Sequence, residues 1–260
     1  MALVEQQSNS LSFLIVHDSK KPGQDRLATI TITTGNKGQP RYLPLNWPDN
    51  RELPNDLEGL TAIPGASSAF MASTSAGKVY HLEFDPASQT VKLLKVFDLL
   101  NVPQGSELEG FSVQEINKQL LAVWAHRGAG SEAAVLYWGL LHPITYQITQ
   151  TGSTRLQVPW PVANVRHVSD LKVDSAGVLF IAAATDPGDN GPFQSAVYVA
   201  GVFDVHDNKV AFRRSPNFVS LSRFDAHKVE GIELVPGQAG GIIVGTDDEN
   251  MGSALSWIGS

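Results

Sequence analysis

The chain has 260 residues, 42% apolar and 17% charged, enough for one sizeable core. Nineteen basic against 26 acidic residues leave a net charge of −7, a field that repels a nucleic-acid backbone or an anionic membrane. The absence of cysteine excludes disulfides, thiolate metal sites and a cysteine nucleophile. MALVEQQSNS at the start lacks the basic and apolar regions of a secretory signal. The longest apolar run, Ala133 to Leu141, is far short of the ~20 residues a membrane span needs. The expectation is a soluble, cytoplasmic protein with neither nucleic acid nor membrane as partner.

Read in chain order, the elements repeat. The first copy holds LVEQ at Leu3, FLIVHD at Phe13 and LATITIT at Leu27. The second opens DLEGLTAI at Asp56 and continues AFMAST, VYHLEF and VKLLKVFDL. The third opens ELEGFSVQ at Glu107, followed by LLAVWAH and AVLYWGL. The fourth reads HVSDLKVD at His167, LFIAAAT, AVYVAGVF and KVAFRRS. The fifth reads KVEGIELV at Lys228, GIIVGT after a PGQAGG turn at Pro236, and ALSWI. Glu58, Glu109, Ser169 and Glu230 fall in one column at intervals of 51, 60 and 61 residues, with Glu5 a weaker match in the first copy. The next column holds Gly59, Gly110, Asp170 and Gly231.

Each piece is short, rich in Val, Ile, Phe and Tyr, and bounded by Gly, Pro, Asn or Asp, which predicts strands. No stretch sustains helical spacing. Four strands per repeat of about 52 residues predict an all-β, five-bladed β-propeller of antiparallel blades. A pair of β-sandwiches is the competing architecture. The single domain divides into blades at roughly 1–50, 51–103, 104–162, 163–223 and 224–260. The last copy stops after its third strand, so one blade is either short or completed from the N-terminus.

Strand alternation sorts the loops by face. Inner-strand entries and second-to-third loops share one mouth, which collects His17, His126, His167 and His227 with most of the acids. Glu58, Glu109, Asp170 and Glu230 are candidate metal ligands, because converging carboxylates repel unless a cation or shared protons compensate them. Oxygen ligands favour calcium or magnesium, and no organic cofactor is expected. The competing reading has these acids accept backbone N–H groups of the next blade. The glycines beside them are read as room for crowded inner strands. Lys20, Lys21, Arg127 and Lys228 are cations beside the acidic mouth, able to hold a phosphate or carboxylate or simply to pair with the acids. Asp56 and Glu107 complete the ligand-contact set with Arg127 and Lys228. The Asp-rich loops at Thr185 and Thr246 read as turn chemistry. No GxSxG, Walker, GxGxxG or HExxH motif occurs. Of the five tryptophans, Trp138 and Trp257 sit in strand patterns and read as core.

The DLEG, ELEG and VEG entries, each followed by a strand ending in a polar loop, resemble the phytase-like propeller proteins named for an "esterase-like activity of phytase", and related bacterial propellers with D-[LIV]-E-G blades. The resemblance spans about Asp56 to Ile258, and the fourth copy departs from it with Ser169–Asp170 in place of Glu-Gly. It implies a propeller with an acid-lined mouth and phosphoester hydrolysis. On that reading the carboxylates hold the ion, ion-bound water attacks, and His126, His167 or His227 moves protons while Arg127 and Lys228 steady the phosphate. The alternative is a non-catalytic scaffold for a protein partner. A monomer or weak oligomer is expected, with a divalent cation, a small anion or a protein as its partner.

Overall fold

The computed structural model describes residues 1–33, 40–48, 53–237 and 240–259. The predicted boundary at residues 50 and 51, and Gln238 and Ala239 of the predicted turn, lie outside the described residues. The fold class is the predicted one, an all-β five-bladed propeller whose blades are small antiparallel sheets. The chain divides into two compact units, Met1–Ser106 and Glu107–Ser260.

The first unit holds two four-stranded sheets. One runs β1 (Ala2–Gln7), β2 (Ser10–Val16), β3 (Leu27–Thr33) and β4 (Arg41–Leu45). The other runs β5 (Leu57–Ala62), β6 (Ala69–Thr74), β7 (Lys78–Asp85) and β8 (Thr90–Asp98). Leu14, Leu27, Leu57, Phe70, Tyr80 and Phe84 form their shared core.

The second unit holds the remaining three. Its first sheet comprises β9 (Leu108–Ile116), β10 (Gln119–His126), β11 (Ala134–Leu141) and β12 (Ile148–Leu156). The next comprises β13 (Val165–Val173), β14 (Val178–Thr185), β15 (Gln194–His206) and β16 (Lys209–Asp225). The last has three strands, β17 (Val229–Val235), β18 (Gly241–Thr246) and β19 (Leu255–Ile258). Because β1 pairs with β2 inside its own sheet, the fifth blade is the short one among the described residues. Leu121, Val123, Leu171, Ile181 and Phe203 fill one inter-sheet core of this unit, and Ala182, Val197, Ile232 and Val244 another.

Burial follows position in the blade. Strands such as β10 and β14 lie between neighbouring sheets, so both faces are covered and the sequence reads as a dense apolar run. Outer strands face solvent on one side and alternate, as β12 does. The sequence reading overlooked β4 and β12 because RYLPL and ITQTGSTRL place few apolar residues on their single buried face. It also stopped β16 at the Arg213–Ser215 stretch; the strand continues to Asp225 in a long hairpin with β15.

A register irregularity recurs near the start of every inner strand. Pairing skips Glu58 between Leu57 and Gly59, and Glu230 between Val229 and Gly231. Comparable shifts fall at Glu109–Gly110 opposite Trp124/His126, between Arg166 and Asp170, and at Val4 in β1. The recurring glutamate therefore marks a β-bulge, a device that re-aims a side chain out of the pleat. Gly110 shows the predicted crowding directly. Its φ is +79°, and a Cβ there would lie 2.7 Å from the Leu171 nitrogen of the next inner strand. Among the described residues no helix is long and apolar enough to cross a membrane.

Candidate functional site

In the second unit, the bulged starts of β9, β13 and β17 point charged side chains toward the loops that follow β10, β14 and β18. Arg166 is the centre. Its guanidinium reaches Glu109 Oε1 and Glu230 Oε1 at 3.3 Å each and is hydrogen-bonded to Asp186 of the β14–β15 loop. Arg127, just after β10, pairs with Glu107 and lies 3.5 Å from Glu109 Oε1. Lys228 bridges Glu230, at 2.9 Å, and Glu249 of the β18–β19 loop. Five carboxylates and three cations thus form one network.

Two of the cations lie deeper than three of the carboxylates, while Glu109 is itself buried and Arg127 is partly exposed. Side-chain exposure is 3% for Lys228 and 17% for Arg166, against 31% for Asp186, 34% for Glu249 and 54% for Glu107. Burial opposes the charge on Lys228, but Glu230 and Glu249 hold its pKa above the ordinary lysine value. Burial likewise opposes the Arg166 charge, and Glu109, Glu230 and Asp186 raise its pKa. Asp186 and Glu230 diverge on that one guanidinium. Burial pushes Asp186 up, yet Arg166 prevails and holds it below the usual carboxylate range. At Glu230 burial wins over Lys228 and Arg166, and the pKa is raised.

His227 sits at the edge of this network. Its Nδ1 is 2.7 Å from Asp248 Oδ2, and Asp248 also accepts the Lys228 N–H at 2.7 Å and the Thr246 hydroxyl at 3.1 Å. A carboxylate only accepts, so this contact places a proton on Nδ1.

The predicted site residues separate into groups. Glu109, Glu230, Arg127, Lys228 and Glu107 come together, and His227 joins them through Lys228 and Asp248. His126 is tied to the start of β9, its Nδ1 accepting the Glu107 N–H at 3.2 Å. His167 is turned inward, with Nε2 3.0 Å from Gly130 O and Nδ1 accepting the Val158 N–H at 3.3 Å. Backbone groups hold both nitrogens, and burial lowers its pKa. Asp170 is also absent from the network. Its Oδ1 accepts the Leu171 N–H at 2.8 Å and its Oδ2 the Ile232 N–H of the next inner strand at 2.7 Å. That is the blade-fastener geometry. Asp56 and Glu58 belong to the first unit, where Asp56 accepts the Ser75 hydroxyl at 2.7 Å and pairs with Lys20 at 3.0 Å, and Glu58 occupies the β5 bulge. Among the described residues no three His, Asp or Glu side chains converge as ligands of one ion would.

No family model and no curated protein matches the chain. Among solved structures it is similar to the GH43 endo-arabinanase from Bacillus licheniformis, at 11% identity and a TM-score of 0.49 over 98% of this chain and 92% of that one. The alpha-L-arabinanase of Penicillium chrysogenum, solved with arabinobiose, gives 8% identity and a TM-score of 0.44 over 99% and 92% of the two chains. At that distance neither assigns a role to any residue here.

Sequence reasoning missed Arg166, Asp186, Asp248 and Glu249. Arg166 stands three residues before Ser169, in the one copy whose glutamate column holds no acid. A cation entering the copy that lacks its carboxylate was the available signal. Asp186, Asp248 and Glu249 lie in loops whose Asp-rich composition masked their side-chain partners. Trp257 also departs from expectation, being 38% exposed rather than core.

Proposed function

We propose that the second unit is a binding module whose carboxylate-lined mouth takes a small cationic ligand bearing N–H donors, such as an amine or guanidine. The observation that carries this reading is the layering of charge. Lys228 and Arg166 lie deep in the network and fix the carboxylates around them, and the most exposed members of the network are carboxylates, Asp186, Glu249 and Glu107. The overall charge of −7 attracts such a ligand at long range. The earlier expectation of a small anion rested on Arg127 and Lys228, and both are already engaged by carboxylates. Holding a divalent cation would require those same carboxylates to exchange Arg166 and Lys228 for the ion.

A second reading, hydrolysis, draws on the divergence of Asp186 and Glu230, since two acids pushed apart in pKa on one guanidinium suit a base and a proton donor. The phytase-like resemblance would make the substrate a phosphate ester.

Calorimetric titration with a series of diamines and guanidines tests the first reading, with phosphate esters assayed for turnover in parallel. Salt-sensitive binding that falls about tenfold or more in the Asp186→Asn/Glu249→Gln double variant is the expected result. Failure of wild type to bind any of these cations contradicts it. Ester turnover that Glu230→Gln abolishes would favour the second reading.

A further inference from the structure

Charge in the second unit is sorted by place. At the mouth, Arg127 and Arg166 are engaged by carboxylates. Away from it, Arg155 of β12 and Arg213, Arg214 and Arg223 of β16 are exposed, and no carboxylate of the described residues pairs with any of them. Asp204, on the strand that pairs with β16, lies instead 3.3 Å from His206 Nε2.

Three of these arginines border one seam. Phe212 packs on Trp138 of β11, which turns its face of β16 toward the β9–β12 sheet. Arg214, two residues on, shares that face, and its Nη1 lies 3.5 Å from Arg155 O. Arg223 reaches the same neighbouring blade nearer the mouth, its guanidinium carbon 4.9 Å from the centre of the Trp160 ring in the β12–β13 connection. A row of like charges therefore follows β16 in a chain whose net charge is −7. Repulsion left uncompensated within the chain favours an anionic occupant.

We propose that the seam between β12 and β16 docks an acidic polypeptide segment in extended conformation. Guanidinium forks grip carboxylates through paired hydrogen bonds. β16 is 17 residues long and outermost in its sheet, so it also leaves a row of backbone N–H and C=O groups open. An extended peptide pairs with such a row while its side chains meet the arginines, which other polyanions do not. The overall negative charge opposes a nucleic acid, whose phosphates extend far beyond this seam. Exposed ion pairs are weak singly and screened by salt, so the association is salt-sensitive. It stands apart from the mouth and from any ligand held there.

Fluorescence anisotropy of a labelled Asp/Glu-rich peptide, titrated with the purified chain at low salt, tests this. Saturable binding is expected in wild type. Arg155→Gln/Arg214→Gln is expected to weaken it about tenfold or more. Lys92→Gln/Lys95→Gln removes the same charge from β8 of the first unit and should leave binding unchanged. Circular dichroism and thermal melting check that both variants remain folded. Single-stranded DNA of matched charge is expected to bind about tenfold or more weakly than the peptide. Absence of saturable binding, binding that survives the arginine variant, an equal loss in the lysine variant, or DNA binding as tight as the peptide's overturns the proposal.

Discussion

The two ends of β13 put charged residues to opposite uses. At its start, Arg166 gathers the buried Glu109 with Asp186 and Glu230, which water still reaches. Four residues on, Asp170 is buried and spends its oxygens on backbone N–H groups of its own strand and the next inner strand. The same inner end holds Lys172 against Glu233 at 3.2 Å. Burial pushes both Asp170 and Glu233 above the usual carboxylate range despite that lysine. Carboxylates in adjacent repeat columns therefore do not share a job: bulge geometry turns Glu109 and Glu230 to cations, while regular pairing beyond the bulge turns Asp170 to backbone N–H groups.

Substitutions on either side of that divide should differ in size. The largest expected effect is at the close approach of β9 and β13. Gly110→Ala combines a left-handed φ with a Cβ placed against the Leu171 backbone, so a loss of ~3 kcal/mol or more is expected. Chemical denaturation measures it, and a neutral outcome would mean that the inner strands are not tightly apposed there.

A smaller effect separates the ends by pH. Glu230 has a raised pKa, so its contribution to stability is fully present below the ordinary carboxylate range and is lost as pH rises through the raised value. Asp186, held low by Arg166, runs the other way: its contribution is present above the ordinary range and lost as pH falls. Glu230→Gln should flatten the decline in stability above the ordinary carboxylate pKa and leave the acid limb in place. Parallel stability-against-pH curves for wild type and variant would contradict that assignment.

Much of the fold was legible because inner and second strands are buried on both faces and write dense apolar runs such as LLAVWAH. Outer strands were harder, since a half-solvated RYLPL looks like a loop. The mouth face was legible from strand alternation alone. Its wiring was not: whether Glu109 meets a metal, a backbone or an arginine depends on a bulge that shifts register without changing composition. Arg166 hid for the same reason, as one cation in a strand that otherwise reads as core. The backbone partners of His167 were not legible either, because a histidine that bonds two backbone groups and one that moves protons look alike in sequence.

The most direct measurement is denaturant unfolding of Asp170→Asn and Glu109→Gln side by side, two buried carboxylates from adjacent inner strands. Asp170→Asn sets an amide N–H₂ against one of two backbone donors and should cost ~2 kcal/mol or more. Glu109→Gln leaves Arg127 with Glu107, and Arg166 with Asp186 and Glu230, so each cation keeps a carboxylate and the loss should be smaller than that of Asp170→Asn. Equal losses, or a larger loss for Glu109→Gln, would contradict the division between a fastening end and a ligand-facing end.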